Sequence, residues 1–165
     1  MTHFRTIDSP IGPLALAGQG RVLTRLHMLN QTYEPDRSDW VPDDRAFSDV
    51  ADQLEAYFTG ERSDFDLELD LVGSEFQRRV WQELLTIPYG DTRSYGQIAA
   101  QIGASGSARA VGLANGHNPI AIIVPCHRVI GASGSLTGYG GGLNRKRWLL
   151  DMEQSRTSAT PSLFD

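Results

Sequence analysis

The chain has very little cysteine: Cys126 is the only one among 165 residues. A single cysteine excludes an intrachain disulfide and argues against a zinc site built on cysteines. We expect no metal and no cofactor. A thiol that has to stay free favours a reducing compartment, so the sequence predicts a cytoplasmic protein.

Long apolar runs are absent as well. None approaches the roughly 20 residues that a membrane helix needs, and residues 1–5 lack the basic start and apolar stretch of a signal peptide. The composition, 40% hydrophobic and 21% charged, is typical of a globular protein with one core or two small ones. We expect a monomer in solution without membrane association.

Acidic residues are rare in the second half of the chain. Residues 73–150 hold seven Arg, one Lys and three acidic residues, net +5, whereas residues 1–72 hold six Arg and 14 acidic residues, net −8. An acidic supporting domain beside a polyanion-binding domain would produce this asymmetry. An ordinary salt-bridged interface between the two halves would produce it too, so charge alone leaves both interpretations open.

Residues 1–72 show the periodicity of a small sheet with one helix. Apolar alternation predicts strands over residues 4–8, 14–17, 22–26 and 65–71. Helical spacing runs from Phe47 to Phe58, and Gly60 suits the helix end. This half carries no evident chemistry, so we expect it to act as a scaffold.

The second half predicts short helices with clear start signals. Ser74 with Gln77, and Ser94 with Gln97, are capping boxes. The first of these helices would bury Phe76, Val80, Trp81, Leu84 and Leu85, and the second would end at Gly103. A third helix over residues 107–115 consists almost entirely of small residues, and two short helices joined by a glycine-containing turn are a helix-turn-helix candidate.

The C-terminal region combines a loop, a helix and a tail. Residues 131–142 contain six glycines and predict a flexible loop or wing. Asn144 is expected to cap a last helix that buries Trp148, Leu149 and Met152. From Gln154 onward the chain is polar, which predicts a flexible tail over residues 154–165.

The cysteine segment is the main candidate for chemistry. An apolar run, residues 121–124, leads into Pro125 and Cys126, and His127 and Arg128 follow. Because the thiolate is the nucleophile, an adjacent base or positive field favours reactivity. A lone cysteine can also be a small buried hydrophobe, and two neighbours alone do not decide between these interpretations.

Four motifs, in this order, resemble the O6-alkylguanine-DNA alkyltransferase family, and the resemblance covers residues 73–153. They are Ile-Pro-Tyr-Gly at 87–90, Arg-Ala-Val-Gly at 109–112, Asn-Pro at 118–119 and Pro-Cys-His-Arg-Val at 125–129. The resemblance implies an α+β protein: a small N-terminal α/β, ribonuclease H-like domain (residues 1–72) and a C-terminal winged-helix-like DNA-binding domain (residues 73–153).

The activity implied by the resemblance is the irreversible transfer of an alkyl group from O6-alkylguanine in DNA, and from O4-alkylthymine, to Cys126. Each molecule would act once, on a nucleotide rotated out of the duplex from the minor-groove side. His127 and Glu153 would relay the thiol proton through a water. Tyr95 would crowd the phosphate and assist the departing guanine.

The resemblance also assigns binding residues. Arg109 would fill the position left by the rotated base, and Asn118 would tie the recognition helix to the cysteine strand. The DNA-binding residues would be Ser94, Ser107, Ala108, Arg109, Ala110 and Gly112. The substrate pocket would contain Asn118, Val129, Tyr139 and Gly140.

Two other functions stay open on the residues alone. A winged-helix DNA-binding regulator would make Cys126 incidental, and a cysteine hydrolase would use Cys126, His127 and Glu153 for turnover. Separately, Ser162-Leu163-Phe164 resembles the peptide with which bacterial repair proteins bind the replication sliding clamp. The alternative for those three residues is a few ordinary apolar side chains in a tail.

Overall fold

The N-terminal part of the protein is built on a four-stranded sheet. The computed structural model describes residues 1–29, 31, 34–136 and 139–158. The strands, in sheet order β3-β2-β1-β4, have the bounds β1 His3–Ile7, β2 Leu14–Gln19, β3 Val22–Met28 and β4 Val41–Pro42. β1, β2 and β3 are antiparallel neighbours, and β4 is parallel to β1. The first three predicted strands are confirmed.

Helix α1 spans Ser48–Thr59 and confirms the predicted helix. Its buried side chains, Val50, Leu54, Tyr57 and Phe58, join the main core. The helix ends at Gly60, whose φ of +88° is easily adopted only by glycine.

The predicted strand over residues 65–71 is wrong. Its only ladder contact is an isolated bridge, in which Leu23 N donates to Glu68 O (2.9 Å) and Asp70 N donates to Leu23 O (3.0 Å). Phe65, Leu67 and their alternate neighbours still pack against the core. The alternation of apolar and polar residues therefore predicted correctly which side chains face inward, but it did not predict whether the backbone pairs in a sheet.

The C-terminal part is mainly helical. Its elements are α2 Glu75–Leu84, β5 Arg93–Ser94, α3 Tyr95–Gln101, α4 Ala108–Gly116, a 3₁₀ turn Cys126–Arg128, β6 Val129–Ile130 and α5 Leu143–Ser158. Both capping boxes form, with Gln77 N and Gln97 N each 3.1 Å from the hydroxyl of the capping serine. Strands β5 and β6 are parallel, and residues 131–136 and 139–142 form neither helix nor strand.

Helices α2 and α4 pack through the expected apolar stripe. Val80, Trp81 and Leu84 are buried, and the Trp81 indole donates to Ala114 O at 2.8 Å. Leu85, predicted to be buried, is 46% exposed because the helix ends there. Buried residues of both parts of the chain belong to one continuous core.

Helix α5 differs from its prediction at both ends. It begins at Leu143, before the expected cap Asn144, and Trp148 is 37% exposed while Leu150 is buried. The helix continues to Ser158, so the flexible tail predicted for residues 154–165 is wrong for 154–158. Arg156 accounts for the extension, since its guanidinium donates to the carbonyls of Tyr57 (3.0 Å) and Phe58 (2.8 Å).

Ser162-Leu163-Phe164 lie outside the described residues. In the part of the chain that the structure describes, no helix is long and apolar enough to cross a bilayer.

Candidate functional site

The segment that delivers Cys126 is held by the N-terminal sheet. Leu26 N donates to Pro119 O (2.9 Å), and Ala121 N donates to Leu26 O (3.0 Å). The chain then turns instead of continuing as the expected cysteine strand. Ile122 has a φ of +71°, and Ile123 N donates to Ala121 O at 2.8 Å across it. A β-branched residue rarely adopts this tight turn, which persists only where the surroundings impose it.

Two buried amides fix the turn against helix α4. Asn118 Nδ2 donates to Val124 O at 2.7 Å, and Ile120 N donates to Asn118 Oδ1 at 3.0 Å. Asn115 Nδ2, on α4 itself, donates to Cys126 O at 3.2 Å. The end of the helix and the cysteine segment are therefore a single hydrogen-bonded unit, with Val129 buried directly after it.

Cys126 is buried, with 5% of the residue exposed. Burial raises the pKa of Cys126, while the Asn118 amide and the Lys146 ammonium act in the opposite direction. Lys146 is itself fully buried, and burial lowers its pKa to about 8 although a thiolate at Cys126 would raise it. Sequence reasoning missed Lys146. Its signal was the spacing 146, 149, 150 and 153, which places the lysine on the buried face of α5.

A buried polar group lies behind the thiol, and we call it the Glu153 cluster: Tyr57, His127, Arg128 and Glu153. Glu153 Oε2 is 2.7 Å from His127 Nε2 and accepts from Arg128 Nη2 at 3.0 Å. Glu153 Oε1 accepts from Arg128 Nε at 2.7 Å, which makes the Arg128 contact bidentate. The Tyr57 hydroxyl also donates to Glu153 Oε2. Glu153 therefore points inward, beside the His127 with which the resemblance pairs it.

Electrostatics of the Glu153 cluster suit proton acceptance by His127. Burial alone would raise the pKa of Glu153, but interactions with His127 and Arg128 outweigh it and hold that pKa well below its usual range. Burial lowers the pKa of His127 despite Glu153, so the imidazole is neutral near pH 7. Within the described residues, His127 Nδ1 has no hydrogen-bond partner. This nitrogen can take a proton while Nε2–H donates to Glu153.

The loop before α5 closes over the thiol. Tyr139 is 8% exposed, and its pKa is raised well above the ordinary value by burial and then by the charge of a Cys126 thiolate. At Gly141 a Cβ would lie 2.3 Å from Met28 Sδ, so only glycine fits there. Gly140 lies beside the end of α4, since a Cβ on it would be 3.4 Å from Gly116 O.

Arg145 ties this loop to the N-terminal part. Its guanidinium donates to Ile11 O (3.1 Å) and Leu29 O (3.2 Å) as well as to Gly141 O (3.4 Å).

Helix α4 presents an outer surface that we call the α4 face: Arg109, Ala110 and Leu113. All three are exposed, Leu113 by 61%. In the described part of the chain, Arg109 makes no hydrogen bond or ion pair, and it lies apart from the Glu153 cluster. Ser107 and Ala108, half-buried, begin the helix.

Tyr95 connects the α4 face to the interior. Its ring lies 3.7 Å from the position a Cβ on Gly112 would occupy, and Lys146 Nζ is 5.9 Å from the ring centroid. Ser94, directly before it, is engaged in the capping box of α3. The structure thus brings the predicted residues into two groups: one around the thiol, and one on the outer side of α3 and α4. Among the described residues, no three His, Cys, Asp or Glu side chains are grouped as metal ligands would be.

Two family models match the chain. Residues 2–71 match the ribonuclease-like domain of 6-O-methylguanine DNA methyltransferase, and residues 75–155 match its DNA binding domain.

Curated relatives match over the full length. The methylated-DNA–protein-cysteine methyltransferase of Mycobacterium tuberculosis is 73% identical over 165 residues, which is 100% of both chains. The protein of that name in Methanosarcina acetivorans is 50% identical over 154 residues, covering 93% of this chain and 99% of its own.

Solved structures agree with the fold. The Mycobacterium tuberculosis O6-methylguanine methyltransferase superposes with a TM-score of 0.92 at 73% identity over 100% of both chains. Mycobacterium tuberculosis OGT in complex with DNA has a TM-score of 0.92 and 75% identity, covering 93% of this chain and 94% of its own. Both comparisons confirm the expected α+β, two-domain architecture.

Proposed function

Since the chain belongs to the 6-O-methylguanine DNA methyltransferase family, we propose that it repairs O6-alkylguanine in DNA by moving the alkyl group onto Cys126. The observation that carries the proposal is a single buried thiol beside a hydrogen-bonded histidine–carboxylate pair. The same site would accept O4-alkylthymine. The domain boundary is proposed between residues 72 and 73.

The chemical step is one displacement. The Cys126 thiol gives its proton through a water to His127, and Glu153 stabilises the resulting imidazolium. The sulfur then attacks the alkyl carbon, an S–C bond forms, and the C–O6 bond breaks. Its electron pair leaves with the guanine, which finally takes up the proton. A hydrogen bond from the Tyr95 hydroxyl to guanine N3 would stabilise the departing anion.

The reaction ends at the thioether. An S-alkylcysteine has no leaving group that water can displace under these conditions, so each molecule acts once. This distinguishes the proposal from a cysteine hydrolase, which requires an acyl intermediate and turnover.

The α4 face would bind the minor groove. An O6-alkyl group lies inside the base stack, so the nucleotide has to rotate out at a cost of a few kcal/mol. Arg109 would fill the vacated position because its planar cation stacks on bases and stays charged. The small residues Ser107, Ala108, Ala110 and Gly112 would let the helix approach closely, with Ser94 and Tyr95 beside the backbone.

The rotated base would enter the space around the thiol. Backbone groups of Cys126, Val129 and Gly140 would hold its edge, Tyr139 would shape the pocket, and Asn118 would keep α4 and the cysteine segment in register.

We also propose a monomer that acts in the cytoplasm. Sliding-clamp binding through residues 162–164 is a separate proposal, which unchanged clamp binding after deletion of residues 160–165 would reject.

The decisive experiment is incubation with O6-methylguanine duplex DNA followed by intact-mass and peptide mass spectrometry. We expect one methyl group per molecule, located on Cys126, and none in Cys126→Ser, which should still bind duplex DNA. An unmodified Cys126 after excess damaged DNA would reject the proposal and favour a DNA-binding regulator. Repair of many lesions per molecule would favour a hydrolase.

A further inference from the structure

Helix α1, in the part of the chain that carries no sequence signal for chemistry, contributes a polar group to the Glu153 cluster. The Tyr57 hydroxyl donates to Glu153 Oε2, although 96 residues separate the two in sequence. Both side chains are fully buried. The contact therefore joins the N-terminal domain directly to the carboxylate that orients His127.

The hydrogen bonds of the carboxylate are unevenly distributed. Among the described residues, Oε1 accepts only from Arg128 Nε, whereas Oε2 accepts from Arg128 Nη2, His127 and Tyr57. Tyr57 and His127 thus share one oxygen. Because the phenol hydrogen bond draws electron density from Oε2, it weakens the electrostatic interaction of this oxygen with the His127 imidazole.

We propose that Tyr57 is a positioning residue for alkyl transfer: its hydroxyl fixes the Glu153 carboxylate and so sets the orientation and proton affinity of His127. This inference rests on the function proposed above.

The neighbours of Tyr57 hold its ring in place. Arg156 donates to the carbonyls of Tyr57 and Phe58, which binds the last turn of α1 to α5 one helical turn beyond Glu153. Around the ring, Phe58, Phe65 and Tyr89 lie with centroids 5.2, 5.4 and 6.1 Å away. The ring is therefore held on three sides, and its hydroxyl is aimed at Oε2.

Tyr57 acts only as a donor. Burial, and then the charge of Glu153, raise the pKa of Tyr57 well above its ordinary value of 10, so the phenol stays protonated throughout the range in which His127 titrates. The other titratable or charged groups around His127 are Glu153 and Lys146 from α5 and Arg128 from the same turn. Removing the Tyr57 donor leaves Oε2 with its contacts to His127 and Arg128 Nη2.

The test is Tyr57→Phe, which removes one oxygen and keeps the ring. Two quantities are measured: the rate of Cys126 alkylation by the free base O6-benzylguanine across pH, and the pKa of His127 by NMR of the ring-labelled protein. We expect the pKa of His127 to rise, because Oε2 regains negative charge. The rate should fall about tenfold, the scale of one hydrogen bond to a charged group, and most steeply at low pH, where more His127 is already protonated.

Two control variants separate positioning from general stability. Thr59→Ala removes an exposed hydroxyl from the same helix, and Val50→Ala opens a cavity in its buried face. Both should keep the wild-type rate per folded molecule and the wild-type His127 pKa. If Tyr57→Phe slows the reaction only as far as it reduces the folded fraction, or leaves His127 unchanged, the inference is wrong.

A second variant keeps the test decisive if Tyr57→Phe fails to fold. Incorporating 3-fluorotyrosine at position 57 preserves the shape and makes the phenol a stronger donor, so the pKa of His127 should fall. An unchanged His127 titration in that protein would overturn the inference. The proposed function fails independently, when wild-type Cys126 is not alkylated at all.

Discussion

The Glu153 cluster and the α4 face differ in where their partners are. Every charged group of the cluster is paired inside the protein: Glu153 with His127 and with a bidentate Arg128. On the α4 face, Arg109 is exposed and unpaired within the described residues, and Leu113 leaves 61% of its surface in solvent. The charges of the cluster are paired without a ligand, whereas the α4 face has an unpaired cation and exposed apolar surface for a partner to cover.

This difference separates two parts of the reaction. A buried ionic group is tolerated only when its hydrogen bonds are satisfied, so the cluster has to be prearranged by the fold. An exposed cation and an exposed apolar side chain cost little in water, so the α4 face needs no internal support. Activation of the thiol should therefore depend on folding, and access to the lesion should depend on DNA.

The largest effect is expected from Glu153→Gln. The variant leaves the Arg128 guanidinium, itself only 6% exposed, without a counter-charge. Breaking a buried pair in this way costs about 3–5 kcal/mol of unfolding free energy. Loss of the imidazolium partner should also slow alkylation by O6-benzylguanine about 100-fold. Urea denaturation and the single-turnover rate measure the two losses.

Asp151→Asn is the matched control, because it neutralises an exposed carboxylate on the same helix. A stability loss in Glu153→Gln no larger than that of Asp151→Asn would mean that the cluster is not prearranged by its charges.

Arg109→Ala should produce the opposite pattern. Stability and the reaction with free O6-benzylguanine should stay at wild-type values, because Arg109 contacts no part of the cluster. Repair of O6-methylguanine in duplex DNA should lose about 1–3 kcal/mol, the scale of one stacking contact with a base. The ratio of the single-turnover rate on duplex DNA to that on free O6-benzylguanine, compared with the wild type, measures this loss.

Arg147→Ala removes an exposed cation from α5 in the same basic half. It should leave the ratio of the duplex rate to the free-base rate at its wild-type value. Equal losses on free base and duplex in Arg109→Ala would remove Arg109 from the base-rotating role.

The sequence predicted much of this comparison where the signals are local. Strands β1 to β3, helix α1 with its stop at Gly60, and both capping boxes each rest on a few adjacent residues. These predictions succeeded because short-range geometry determines them.

What the sequence did not predict depends on contacts between distant segments. Tyr57 looked like a core aromatic of a scaffold, and its bond to Glu153 arises only when α1 and α5 meet. Arg156, in the expected flexible tail, is ordered because it binds carbonyls nearly 100 residues away. The left-handed turn at Ile122 has no local signal, since a β-branched residue argues against it.

A smaller effect, on pH dependence, is expected from Lys146→Met in a Cys126→Ser background, which removes the titrating thiol. With Cys126 present, burial lowers the folded-state pKa of Lys146 to about 8 from the ordinary 10.5, and without the thiolate that raises it this pKa should be lower still. Between these values the unfolded chain binds more protons, so the parent's stability rises with pH from about 8 to 10.5.

Below pH 8 the methionine variant should be more stable by about 1–2 kcal/mol, because it carries no buried charge. The difference should shrink as the pH rises. Urea unfolding at pH 7, 8, 9 and 10 measures it, and a difference independent of pH would show that Lys146 is not desolvated.

The smallest effect is expected from Leu113→Ala, which tests whether apolar contact on the α4 face contributes alongside charge. Because Leu113 is largely exposed, the variant should unfold like the wild type. Covering its side chain with the walls of the groove should contribute about 1 kcal/mol to duplex binding. In Leu113→Ala, the slope of log K against log salt concentration should stay at its wild-type value, because no phosphate contact is lost. In Arg109→Ala, the slope should fall by about 1 if the guanidinium also neutralises a phosphate. Fluorescence anisotropy at several salt concentrations separates the two variants. A Leu113→Ala protein with wild-type affinity would mean that the α4 face binds through charge and close approach alone.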